Sequence, residues 1–159
     1  MLKIKIITVG SLKESYLREL CAEYVKRLSA YCTVETCELR ESRLPDSPSR
    51  SQIDAALAQE ATSILSLIPP RAACVALCIE GKQLSSEELA ATIDNLQGTS
   101  SCICFVIGSS YGLSDEVKRR ATLRLSFSKM TFPHQLMRAI LLEQVYRGFM
   151  INAGRAYHK

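Results

Sequence analysis

Residues 123–147 read LRLSFSKMTFPHQLMRAILLEQVYR, and the rest of the chain is organised around this stretch. It passes from a short apolar strand through a polar turn into a long helix. Pro133 stands where the helix is predicted to begin, a position at which the missing N–H of proline costs nothing. Thr131, two residues earlier, is predicted to cap the free N–H groups of the first turn.

The predicted helix after Pro133 is apolar on more than one face. Its main stripe recurs at helical spacing and consists of Met137, Ile140, Leu141, Val145 and Phe149. Leu136 and Leu142 lie off this stripe. A helix that is apolar on several sides is either buried deep in a core or shared with a partner chain.

The rest of the chain alternates between apolar strands and helices. Strands are predicted at residues 2–9, 33–39, 73–79, 102–107 and 123–126. Helices are predicted after capping boxes at 11–14 and 85–88, at 53–68, and from 114 to about 121. The strands at 73–79 and 102–107 are almost wholly apolar, which is typical of strands covered on both faces. The sequence therefore predicts one α/β domain, residues 1–159, with a mainly parallel sheet.

Three local features refine this prediction. The first helix is expected to bury one face, made of Leu17, Leu20, Cys21, Tyr24, Val25 and Leu28. The helix after Ser85 is expected to run to Gln97, with Gly98 as its stop. Residues 41–51 contain two prolines and no apolar period, so they are predicted to form a surface loop.

The composition is typical of a globular protein of the cytoplasm. No apolar run reaches the roughly 18 residues that a membrane span needs. The start, MLKIKII, is too short and too alternating for a signal peptide. The seven cysteines include no Cys-x-x-Cys motif and are expected to be small buried hydrophobes in a reducing compartment. With only two histidines in the chain, no metal site is expected.

Charge is distributed unevenly along the chain. From Lys118 onward there are nine Lys/Arg and one acid, Glu143, which gives +8. The first 117 residues hold eleven Lys/Arg and fifteen Asp/Glu, which gives −4, and the two parts sum to the net +4. A basic C-terminal quarter is typical of a protein that binds a polyanion such as nucleic acid. From charge alone, a solvated basic face without a partner fits equally well.

Three segments are candidates for a ligand site, because ligands of parallel α/β sheets bind beyond the C-terminal ends of the strands. They are residues 77–81, 108–112 and 126–132, and each follows an apolar strand. Gly108-x-x-x-Gly112 alone is a weak signal, for which a plain turn is the favoured interpretation. Neither Gly-x-Gly-x-x-Gly nor Gly-Lys-Ser/Thr is present, which argues against a dinucleotide-binding oxidoreductase and a P-loop nucleotide site.

The segments 125–138, 142–147 and 157–159 together resemble the RlmH family of large-subunit ribosomal RNA methyltransferases, and the similarity extends over the whole chain. The resemblance implies a knotted α/β fold of the SPOUT class, with a C-terminal trefoil knot. It implies transfer of a methyl group from S-adenosylmethionine to N3 of a pseudouridine in 23S (large-subunit) rRNA. It also implies a homodimer in which one chain binds the cofactor and the other contributes its C-terminal tail.

By position, the resemblance assigns cofactor binding to Leu77, Gly108, Phe127, Ser128, Lys129, Met130, Thr131 and Phe132. It directs the search for catalytic groups to the last helix and the tail, and the candidates are Arg147, Tyr157, His158 and Lys159, with His134 and Arg138 as further polar groups. Arg147 and Lys159 are candidates for holding phosphate or the imide anion, and His158 for a base or base-orienter. The family's usual Gly-Gly pair is Gly108-Ser109 in this chain.

Basic charge alone also supports a second interpretation, a non-enzymatic RNA-binding or ribosome-associated module. Cofactor binding separates the two, because only the enzyme needs S-adenosylmethionine.

Overall fold

The structure, a computed structural model, describes residues 1–158 and contains one five-stranded sheet flanked by helices on both faces. The strands are β1 (Lys3–Val9), β2 (Thr33–Leu39), β3 (Ala73–Gln83), β4 (Cys102–Ile107) and β5 (Leu123–Ser126). The helices are α1 (Ser15–Leu28), α2 (Arg50–Leu67), α3 (Ser86–Thr99), α4 (Asp115–Arg120) and α5 (His134–Asn152). The strand order is β2-β1-β4-β3-β5 and every pairing is parallel, which confirms the predicted α/β class.

Each face of the sheet has its own apolar core. On one face Ile4, Ile6 and Phe105 pack with Leu141 and Leu142 of α5, together with residues of α1 and α3. The opposite face packs against α2 and α4 through residues that include Ile7, Val9, Ile64, Val106 and Val117. Because side chains alternate along a strand, one strand such as β1 supplies both cores.

The predicted capping box at residues 11–14 is wrong. The helix begins at Ser15, and no side chain caps its first turn. Instead, the Arg18 guanidinium donates to the carbonyl oxygens of Leu12 and Lys13, at 3.0 and 2.7 Å. Leu20, predicted to be buried in α1, is 41% exposed.

Other predicted helix ends also differ from the structure. Helix α2 begins at Arg50, inside the predicted loop 41–51, because Ser49 caps it. Gly98 lies inside α3, which continues to Thr99. The following Ser100 bonds the starts of two strands: its hydroxyl donates to the Cys102 carbonyl and accepts from the Ala73 N–H. Thr131 does not cap α5, whose first turn has no side-chain cap. The capping box at Ser85 and Glu88 is confirmed.

Strand β3 is longer than predicted and pairs with β5 in two registers. Leu77 and Lys82 both lie opposite Leu125, so the residues between them are excluded from the ladder. A Cβ on Gly81 would lie 2.8 Å from backbone atoms of Arg124 and Leu125, so only glycine allows this approach. This excursion of β3 brings residues 78–80 to the edge of the sheet where the candidate loops lie.

No helix among residues 1–158 is both long and apolar enough to cross a membrane.

Candidate functional site

A cleft of ≈ 590 Å³ opens at the C-terminal ends of β3, β4 and β5. Its walls come from the three segments predicted from the sequence, 77–81, 108–112 and 126–132, and from the start of α5. Seven of the eight predicted cofactor-binding residues line it: Leu77, Gly108, Phe127, Ser128, Met130, Thr131 and Phe132. Lys129, the eighth, lies on the same loop but is exposed and does not line the cleft. The volume lies within the range of small-molecule sites, roughly 300–1,000 Å³.

The loop after β4 closes tightly on itself. The Gly112 N–H donates to the Ser109 carbonyl at 2.9 Å, and Gly112 has a φ of 85°. A Cβ on Gly108 would lie 2.7 Å from the carbonyl carbon of Gly112 and 2.9 Å from a methyl of Leu113. Gly108 is therefore needed for loop closure, and not only for space in the cleft.

Ser109 replaces the family's second glycine without strain in this loop. Among residues 1–158 only glycines have a positive φ, so Ser109 has a backbone conformation open to any residue. Its side chain is buried and stabilises the ionised form of Glu60 on α2. Sequence reasoning did not connect Glu60 with this loop, because 49 residues separate the two positions.

The loop from β5 to α5 is held by its own hydroxyl groups. The Ser126 hydroxyl donates to the Ser128 carbonyl at 3.1 Å, and the Ser128 hydroxyl accepts from the Met130 N–H at 3.0 Å. These bonds turn the chain sharply between the strand and the helix. Met130 and Phe132 are consequently left exposed on the rim of the cleft, at 72% and 36% of their surface.

The lining of the cleft includes an ion pair. The Lys118 ammonium of α4 contacts the carboxylate of Glu80, which lies in β3 between the two parts that pair with β5. This hydrogen bond, more than any other effect, holds the pKa of Glu80 below its usual value. The candidate segment 77–81 includes Glu80, but neither Glu80 nor Lys118 was singled out from the sequence as a site residue. The signal for Glu80 was its place directly after an apolar strand, whereas Lys118 had none.

His134 and Arg138 have different surroundings although both lie at the start of α5. His134 lines the cleft. Arg138 is buried and does not line it. Its guanidinium bonds Thr8, Gly10 and Glu38, so Arg138 joins α5 to the ends of β1 and β2.

The predicted catalytic residues lie together on another surface, formed by α5, the tail and α3. Arg147 Nη1 contacts His158 Nδ1 at 3.2 Å, and the Arg147 guanidinium stacks over the Tyr157 ring at 4.8 Å. The Tyr157 ring also meets the edge of Tyr146 at a centroid distance of 5.0 Å. Lys159, the fourth predicted residue, lies outside the described residues.

The surroundings of Tyr157 keep its hydroxyl neutral, so Tyr157 does not act as a general base. Burial, followed by hydrogen bonding to Tyr24, raises the pKa of Tyr157 to about 12, so the phenol stays neutral near pH 7. A neutral phenol donates a hydrogen bond but does not take up a proton. Hydrogen bonding to Glu143 raises the pKa of Arg147, so this residue remains a cation.

The cleft and the tail group are far apart within one chain. His134 lines the cleft and Arg147 contacts His158, and the two are 13 residues apart on the same helix. At 1.5 Å per residue, the helix carries Arg147 roughly 20 Å from His134. One chain therefore does not bring its own tail to its own cleft in this structure.

Comparison with known proteins agrees with this architecture. The family described as "Predicted SPOUT methyltransferase" matches residues 2–158. A protein of Bacillus pumilus (strain SAFR-032) named ribosomal RNA large subunit methyltransferase H is 53% identical over 159 residues, covering 99% of this chain and 100% of the relative. Proteins of the same name from Bacillus thuringiensis (strain Al Hakam) and Clostridioides difficile (strain 630) are 51% and 50% identical, with the same coverage.

Proposed function

The chain belongs to the SPOUT methyltransferase family, and on this premise we propose that it methylates N3 of a pseudouridine in large-subunit ribosomal RNA, in the cytoplasm, with S-adenosylmethionine as donor. The main support for the proposal is that three loops converge on one cleft. Seven of the residues that line this cleft are ones that the family resemblance assigns to the cofactor. The trefoil knot stays a prediction from the resemblance.

The cleft has the chemistry that the donor requires. Leu77, Phe127 and Phe132 offer apolar surface for the adenine ring, and the turn at residues 108–112 offers backbone groups. Glu80 and Lys118 provide one charge of each sign for the zwitterionic methionine part. When bound, the donor supplies an electrophilic methyl group on a sulfonium. The residues of the cleft hold and orient it, and such alignment supplies much of the rate of a methyl transfer.

The tail group would act on the RNA. The imide N3 must lose its proton before it has a lone pair with which to attack, and the anion that forms needs a cation nearby. Arg147 is a permanent cation and fits this role, whereas Lys159 fits contact with RNA phosphate. Tyr157 fits as a hydrogen-bond donor, and His158 as a base or base-orienter.

A second copy of the chain would unite the cleft with the tail group. The separation of roughly 20 Å within one chain supports a site in which the tail of one protomer meets the cleft of its partner. The rim of the cleft supports the same conclusion, because its apolar side chains include the exposed Ile79, Tyr111 and Met130. Leu136 is also exposed and lies on α5 between His134 and Met137, which line the cleft.

Calorimetry and an RNA methylation assay test the proposal together. We expect binding of S-adenosylmethionine but not of NAD, and methylation of ribosomes from a strain that lacks this protein. RNA with uridine in place of the target pseudouridine is the matched control. RNA binding without cofactor binding would favour the non-enzymatic module instead.

Mixing two inactive variants tests the shared site. A Gly108→Val protomer lacks the cleft, and a protomer without residues 157–159 lacks the tail. If sites are shared, the mixed dimer contains one complete site and recovers part of the activity. No recovery, with mixed dimers present by native mass spectrometry, would contradict the shared site.

A further inference from the structure

Glu143 is the only acid after Lys118 in the sequence, and in the structure it holds two of the candidate catalytic residues at once. Its Oε1 accepts from Arg147 Nε at 3.0 Å and Nη2 at 2.6 Å. The same oxygen accepts from the Tyr157 hydroxyl at 3.3 Å. Its side chain is 20% exposed, so this is a partly buried, charge-assisted contact and not a loose surface pair.

The other oxygen of Glu143 is also occupied. Gln144 Nε2 donates to Oε2 at 2.6 Å, and the oxygen of the same amide accepts from the Ser86 hydroxyl at 2.7 Å. Ser86 begins α3, so this chain of bonds fixes the Glu143 carboxylate against a second helix. A carboxylate held on both sides has little freedom to release Arg147.

A second carboxylate, Glu87 on α3, holds His158. The His158 Nε2 atom lies 2.7 Å from Glu87 Oε1, and its Nδ1 atom lies 3.2 Å from Arg147 Nη1. A guanidinium only donates hydrogen bonds, so Nδ1 must accept and carries no proton. The proton of the neutral ring therefore sits on Nε2 and is donated to Glu87.

We propose that Glu143 and Glu87 are positioning residues, which fix the tail by binding Arg147, Tyr157 and His158 and which set His158 as the Nε2–H tautomer. The proposal rests on the proposed function, because a positioned tail matters for catalysis only if the tail meets the RNA.

This arrangement has a chemical consequence for His158. One ring nitrogen is protonated and the other already accepts from Arg147, so His158 has no free lone pair in this state. It cannot take the N3 proton until the bond between its Nδ1 atom and Arg147 opens. While both bonds persist, His158 orients Arg147, and the imide proton leaves through another group or through water.

Variants of Glu143 test the first half of the proposal. Glu143→Gln keeps the shape and removes the charge that Arg147 requires, so we expect the single-turnover rate of methyl transfer to fall by roughly 10- to 100-fold. Affinity for S-adenosylmethionine should stay unchanged because Glu143 does not line the cleft. Asp54→Asn is the matched control, since Asp54 forms an i,i+4 pair with Arg50 on an exposed part of α2. A wild-type rate in a folded Glu143→Gln protein would overturn this half.

Nitrogen NMR of the two histidines tests the second half without any assay of activity. The chain has only His134 and His158, so a ¹⁵N-histidine label gives two ring signals, and a His158→Asn variant assigns them. We expect the Nε2–H tautomer for His158 in the wild type and in Glu87→Gln, which keeps an acceptor. Glu87→Ala frees the ring from α3, so the ring can turn away from Arg147, and we expect a mixture of tautomers for His158 with His134 unchanged.

The two readouts separate the inference from the proposed function. If the wild type methylates no pseudouridine but the tautomer changes as expected, the function is wrong and the positioning of His158 by Glu87 stands. If the wild type is active and His158 has the same tautomer composition in the wild type and in Glu87→Ala, Glu87 does not position His158 and the inference fails.

Discussion

The Arg138 guanidinium donates a 2.8 Å hydrogen bond to the Thr8 hydroxyl, and this bond fastens the start of α5 to the end of β1. The same side chain also bonds the Gly10 carbonyl and the Glu38 carboxylate, both at 3.2 Å. Arg138 is only 6% exposed. The loop that enters the cleft from β5 ends at this helix, so the position of the loop depends on a contact made outside the cleft.

We therefore predict that Arg138→Met destabilises the protein and weakens cofactor binding together. The change removes the hydrogen bonds that the Arg138 cation donates to Thr8 and Gly10, which keep only their bond to each other. Loss of hydrogen bonds from a charged group costs about 1.5–3 kcal/mol. Urea unfolding and calorimetry measure the two effects. Arg50→Met is the control: its pair with Asp54 is exposed, and we expect a change within about 0.5 kcal/mol. Equal stability of the two variants would contradict this account.

A second prediction concerns the turn after β4. Gly108→Val places a side chain against Gly112 and Leu113, so the turn opens and S-adenosylmethionine binding is lost even though the sheet remains. Gly98→Val is the matched control, because a Cβ there meets nothing within 4 Å. Calorimetry gives the affinities and circular dichroism the fold. Undiminished binding by folded Gly108→Val would show that the turn is not needed.

The buried acid Glu60 gives a pH prediction. Burial raises the pKa of Glu60 above its usual 4.5, although the Ser42 N–H donates to it at 3.0 Å. A raised pKa means that folding favours the protonated acid. The contribution of Glu60 to stability is therefore fully present below about pH 4.5 and is lost as the pH rises through the folded-state pKa.

We accordingly expect Glu60→Gln to raise the free energy of unfolding near pH 7, by on the order of 1 kcal/mol, because a neutral amide avoids burial of a charge. The gain should shrink as the pH falls through the folded-state pKa of Glu60 and should be absent below about pH 4.5. Chemical denaturation at several pH values checks this. Glu19→Gln, at an exposed position of α1, is the control and should leave stability unchanged at all of these pH values.

Removal of residues 157–159 should separate binding from catalysis. Tyr157 packs on Tyr146 and Arg147, so its loss should cost about 1 kcal/mol of stability. Cofactor affinity should stay the same, whereas methyl transfer should fall severely. A truncated protein that methylates its target at the wild-type rate would show that the tail has no catalytic role.

The single change Lys159→Ala tests the contact with RNA. Loss of one phosphate contact should weaken binding to all RNA sequences alike and reduce the slope of log affinity against log salt by about 1. Filter binding over a range of salt concentrations measures this slope. Lys26→Ala on α1 serves as the charge-matched control, and an equal reduction there would indicate only a general effect of net charge.

Local patterns predicted the parts of the fold that local interactions decide. The apolar run of β4 ends at Gly108, and both ends of that strand were predicted correctly. The cleft was predictable because parallel strands deliver their C-terminal ends to one edge of the sheet. The resemblance then assigned its residues, and the structure places all but Lys129 in the walls.

The errors arise where distant contacts override local signals. Ser11 and Glu14 match a capping box, yet the Leu12 N–H donates to Glu38 at 3.3 Å and the Lys13 N–H donates to Gln135 at 3.4 Å. These bonds hold the segment extended, and the helix starts later. The burial of Arg138 was likewise not visible in the local sequence, because its partner Thr8 lies 130 residues away.

The strand order has a consequence for how the protein is made. The central strand β4 is synthesised fourth, and α5, which covers the core beside β1 and β4, is synthesised last. No N-terminal fragment can therefore bury its apolar strands, and parallel pairings between distant segments form slowly. Because translation delivers the N-terminus first, we expect the nascent chain to stay unfolded until its final turn of helix emerges. It would then acquire its structure as a whole and not strand by strand.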